Sequence, residues 1–97
     1  MDLARFTKSL EGDAPPEGLS QALQALWWDA KGRWDRAHQC AQAQDDKHGA
    51  WVHAYLHRKE GDKGNAAYWY RRAGGRTPAT SLGEEWQEIA RALIEST

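Results

Sequence analysis

Displaced by 29 positions, the chain falls on itself at three small residues: Ala25 on Ala54, Gly32 on Gly61 and Ala37 on Ala66. An Ala on each of two successive helices lets the backbones approach closely, and a Gly between them supplies the tight reversal. A chain that carries this arrangement twice is built from helical hairpins. Strand formers are too scarce to compete, with one Val and two Ile in the whole sequence. The expectation is an all-α fold of about six helices, arranged as antiparallel helical hairpins with short connections.

With 97 residues there is room for a single domain over 1–97 and none for a second. Six of the ten aromatic residues are Trp. Each can remove a large apolar area from water, so a core of Trp packed against Ala is expected in place of a branched-aliphatic one. The lone Cys40 cannot form an internal disulfide and is expected to be a half-buried, inert thiol. The N-terminus lacks the basic, apolar and small-residue series of a signal peptide. No apolar run approaches the roughly 20 residues needed to cross a bilayer, so no membrane partner and a cytoplasmic location are expected.

Punctuation divides the chain into four parts. Residues 1–11 form an N-terminal helix or loosely attached arm, with Leu3, Phe6 and Leu10 on one face. The Gly12–Gly18 stretch with Pro15 and Pro16 then breaks it. The first hairpin covers 19–44: a helix with the stripe Leu19, Leu23, Leu26 and Ala30, then Gly32, then a helix from Trp34 with Ala37, Cys40 and Ala41. The second covers 47–74: a helix ending at Gly61, then one capped by Asp62 or Asn65 with Ala66, Trp69, Tyr70 and Ala73 on one side. A C-terminal capping helix follows over 81–96, where Ser81 and Glu84 have capping-box spacing ahead of Leu82, Trp86, Ile89 and Leu93.

The small–Gly–small spacing of seven and then five residues, kept in both hairpins, resembles tetratricopeptide repeats. Ala73 matches that family's later small position and Pro78 its closing proline. The segment Gly61-Asp62 through Asn65-Ala66-Ala67-Tyr68-Trp69-Tyr70-Arg71-Arg72-Ala73-Gly74 is similar to Sel1-like repeats still more closely. The resemblance covers about residues 20–78 and implies right-handed stacking of hairpins and a role in holding proteins or peptides. Its 29-residue offset is shorter than those families use, and Gln44 stands at the late small position of the first hairpin. Two hairpins alone make no long concave surface. The run from His53 to Gly74 also resembles a set of short uncharacterised bacterial proteins, a likeness that implies no mechanism.

Three surfaces or sites compete for function. Residues 49–80 carry six Lys or Arg against two acidic residues, whereas 1–48 and 81–97 are acidic. In the basic middle, His53, His57, Arg58, Tyr68, Arg71 and Arg72 are candidate contacts for a protein or acidic peptide, through forked hydrogen bonds and ring stacking. The same cations equally suit internal pairing with Glu84, Glu85 and Glu88 of the last helix. His53 and His57, at i and i+4 with Glu60 a turn later and His48 further back, are weak candidates for a metal. They suit an anion or partner contact as well, or ordinary hydrogen-bonded histidines between helices. No carboxylate lies between them in the HExxH manner, so hydrolytic chemistry has no signature here.

A third reading is a homodimer made through spare Trp such as Trp28 or Trp51. With a net charge of −1 the chain has no basic stripe for nucleic acid. No phosphate loop, nucleophile elbow or calcium loop is present, so no cofactor is expected and no reaction can be assigned. The sequence favours a binding adaptor over an enzyme.

Overall fold

The structure, a computed structural model, describes residues 1–78 and 81–96. Helices account for all its regular elements among these residues: α1 (Leu3–Lys8), continued by a 3-10 turn at Ser9–Glu11, α2 (Gln21–Ala30), α3 (Trp34–Ala43), α4 (Lys47–Glu60), α5 (Lys63–Arg72) and α6 (Leu82–Glu95). The expected all-α architecture is what the chain adopts.

Short polar side chains start the helices by accepting from an otherwise unpaired N–H in the first turn. Ser20 accepts from Leu23, Asp46 from Gly49 and Ser81 from Glu84. Of the two caps foreseen for α5 it is Asp62 that serves, accepting from the Asn65 N–H at 3.2 Å. At the other end of α4, Gly61 turns left-handed at φ 89° and the chain closes with Asp62 N–H donating to the His57 carbonyl.

Helix α2 packs on α3 and α4 on α5, giving the two hairpins; α3 against α4 joins them. Helix α6 crosses both α2 and α4, and α1 lies on α6. The four repeated alanines sit where the backbones meet: Ala25, Ala37 and Ala54 are fully buried and Ala66 nearly so. Ala30, expected on the apolar stripe of α2, is exposed because the helix ends there.

The N-terminal segment is not a loose arm. Phe6 is fully buried and stacks on Trp86 with ring centroids 5.7 Å apart. Lys31 donates to the carbonyls of Leu10 and Gly12, and the Trp27 indole donates to Ser9. The apolar triplet on α1 supplies a hydrophobic face, and α6 offers the surface that receives it.

Helix α4 is enclosed by α2, α3, α5 and α6, and every residue from Gly49 to His57 is buried. A helix buried all round shows little apolar periodicity. That placement decides the fate of the suspected site.

Candidate functional site

Enclosure of α4 removes two of the expected contacts from the surface. His53 and His57 are 4% and 8% exposed. Arg58 points to α6 and donates to Glu85 at 2.7 Å. The foreseen pairing with the acidic last helix is therefore made, through Glu85. Only Tyr68, Arg71 and Arg72 of the six face solvent. Neither Trp offered for a dimer stands fully exposed. Trp51 is buried, its indole donating to Glu85 and its ring covered by the Arg76 guanidinium at 3.7 Å. Trp28 is half-buried beneath Arg36.

What the fold brings together instead is a trio. His38, at mid-length on α3, meets His53 and His57 of α4. One ring nitrogen from each lies within 4.8 Å of the other two. His38 Nε2 and His53 Nε2 stand 2.9 Å apart, so one of them carries the proton and the other accepts it. His57 Nδ1 lies 3.1 Å from Glu60 Oε1. A carboxylate only accepts, so the proton is on Nδ1 and the lone pair of a neutral His57 is on Nε2.

Aromatic walls fix the rings. Trp34 stacks on His38 with centroids 4.9 Å apart and planes 13° off parallel. Trp69 stacks on His53 at 3.9 Å and 15°. Trp34 is itself held by its indole N–H donating to the Leu56 carbonyl of α4. Burial, reinforced by its two histidine neighbours, pushes His53 down to about 4. Burial and His57 lower His38 as well, against Glu60 and Asp35, which act the other way. Both rings are therefore neutral at pH 7 and present lone pairs.

His48 takes no part in this cluster among the described residues. Glu60 belongs to it as the partner of His57. A second set of close groups, His57, Glu60 and Asp62, includes a carboxylate already engaged in capping α5.

His38 was not singled out from sequence. Its only signal is the Trp34–His38 spacing of four, which puts both rings on the same side of α3; nothing local says that α4 lies opposite. Two further networks went unforeseen in their detail. Buried Asp29 accepts from Tyr55 and Lys59, each at 2.9 Å. Buried Glu85 accepts from Tyr70, Arg58 and Trp51. No buried side-chain nitrogen or oxygen among the described residues lacks a partner. Both carboxylates are thus fully engaged in holding helices together.

Beside the trio, a cleft of about 360 Å³ opens between α3, α4 and α5, with His53 and Trp69 in its wall and Lys47, Asp45 and Arg72 around it. Arg72 reaches over the rings of Trp69 and Tyr68 at 5.1 and 5.8 Å and donates to the Tyr68 hydroxyl at 3.1 Å.

No protein family, curated protein or solved structure matches this chain significantly. The class that the fold itself defines is a small protein of two helical hairpins with terminal helices packed on them. Among the described residues no helix is long and apolar enough to cross a membrane.

Proposed function

We propose that this chain is a binding module that docks an acidic peptide or protein segment on the outer face of α5. One observation carries the reading: Tyr68 is 44% exposed, the only large hydrophobic residue besides Met1 left open among the described residues, and it is set against Trp69 and Arg72, which line a cleft. Tyr, Trp and Arg are the side chains that concentrate binding energy at interfaces. Helix α5 packs on α4 and turns the side bearing Tyr68, Arg71 and Arg72 outward.

Charge favours an acidic partner. Within the basic middle of the chain, Arg58 and Lys59 are paired with Glu85 and Asp29. Arg71 and Arg72 remain exposed beside Tyr68 on α5, and Lys63 and Arg76 are exposed near its two ends. Arg72 approaches Asp45 only to 3.7 Å, and Asp45 is 94% exposed. So open an ion pair contributes little, and an incoming carboxylate can replace it. The likeness to tetratricopeptide and Sel1-like repeats supports a partner-holding role, as an analogy of pattern.

Fluorescence anisotropy against an array of labelled peptides tests this. Acidic peptides should bind the native chain and lose affinity at least tenfold in Arg71→Glu/Arg72→Glu, with helical circular dichroism retained. Undiminished binding in that variant, or loss of helix together with binding, contradicts the assignment.

A further inference from the structure

We propose that His38, His53 and His57 form a binding site for a transition-metal dication of the zinc class, tying the first hairpin to the second. This goes beyond the peptide-docking function and uses different residues.

Geometry carries the argument. Two imidazole nitrogens bound to one tetrahedral zinc at 2.0–2.1 Å stand about 3.3 Å apart. The three ring nitrogens here are already gathered within 4.8 Å, with one pair at 2.9 Å. Closing the set onto a common ion takes shifts of about 1 Å, within the reach of side-chain adjustment. Convergence of three imidazoles is not what a core needs for packing. Their close edge shares a single proton, whereas an ion would engage a lone pair from every ring.

The surroundings suit a metal as well. Glu60 accepts from His57 Nδ1, the orienting hydrogen bond that metal-bound imidazoles use, which leaves the lone pair on Nε2. Trp34 and Trp69 clamp the other two rings in orientation. Glu60, 3.1 Å from His57, supplies a negative charge that offsets part of that of a bound dication. His38 is only half-buried, and His53 lines the cleft, so the trio is open to an entering ion.

Three neutral nitrogen ligands select zinc, cobalt, nickel or copper over magnesium and calcium, which prefer oxygen. Binding moves the proton on the shared His38–His53 edge to Nδ1 of the same ring, so no net proton is lost. Three protein ligands leave a fourth position for water or a small anion.

Cobalt(II) titration of tag-free, chelator-treated protein is the direct test. The native chain should develop the visible absorption of tetrahedral cobalt, saturating at one equivalent and bleached by zinc. His48→Gln should behave as the native chain. Glu60→Gln should bind about 10–100-fold more weakly, and His38→Gln and His53→Gln more weakly still. Absence of the band in the native chain overturns the site, as does native affinity in His38→Gln. Zinc should also raise the thermal midpoint of the native chain, a readout that needs no variant, and an unchanged midpoint counts against the site.

Discussion

Glu85 is 1% exposed, and the groups around it are donors: two tyrosine contacts at 2.7 and 2.8 Å, the Arg58 guanidinium at 2.7 Å and the Trp51 indole at 3.4 Å. Removing this carboxylate takes the acceptor from two buried donors, the Tyr70 hydroxyl and the Trp51 indole, and one partner from the part-exposed Arg58. Glu85→Ala should therefore cost about 1–3 kcal/mol for each buried donor left unpaired, read as a lower urea midpoint. For a small domain with a margin of about 5 kcal/mol that approaches unfolding.

The same networks set a response to alkali. Burial, together with the Asp29 or Glu85 carboxylate beside each, raises the Tyr55 and Tyr70 phenols far above their ordinary value of 10. The unfolded chain loses these protons above pH 10 while the folded chain keeps them, so stability is fully present below pH 10 and falls as the pH rises beyond it. In a Tyr68→Phe background, phenolate absorbance should appear together with loss of helical circular dichroism. Phenolate formation in a still-helical protein would contradict the assignment. From sequence, the pairing of the basic middle with Glu84, Glu85 and Glu88 was legible as a set. Which carboxylate sits inside was not, because that depends on the rotation of α6.

Elements were easier to foresee than contacts. Helix boundaries lay in the capping residues and glycines, which act locally, and α4 and α5 begin and end where those residues place them. Helix α4 shows where local signals fail. With neighbours on four sides it has no polar face to announce, so the sequence left His53 and His57 open between partner contacts, a metal and hydrogen-bonded histidines between helices.

Two substitutions test the close packing of this element. Ala54 is fully buried at the centre of α4, and Ala54→Leu should destabilise by about 1–3 kcal/mol through overpacking. Gly49, in the first turn of α4, runs against the backbone of Gln44, and a Cβ there would collide with the Gln44 carbonyl. Gly49→Ala should lower the melting temperature, since that backbone has to move. An unchanged melting temperature in both variants would show that α4 is not tightly enclosed.

Across the whole molecule, tryptophans serve as staples as well as filler. Indole N–H groups join Trp27 to Ser9, Trp34 to Leu56, Trp51 to Glu85 and Trp86 to Leu26. Each links segments far apart in the chain. A radius of gyration of 12.1 Å agrees with the roughly 12.5 Å of a packed domain this long, which leaves no room for a detached arm. The repeated Ala and Gly residues made the hairpins legible. How the hairpins abut was not, because the contact of α3 with α4 has no counterpart inside either repeat. His38 lies at that contact, and so stayed hidden until the two hairpins were placed side by side.

The central claim is that this junction gathers three imidazoles around one point. Long-range proton–nitrogen correlation spectra of the histidine rings, followed during zinc addition, test it most directly. The ring nitrogens of His38, His53 and His57 should shift together and saturate at one equivalent, with His48 unmoved. Shifts confined to His48, or three rings that respond independently, would contradict it.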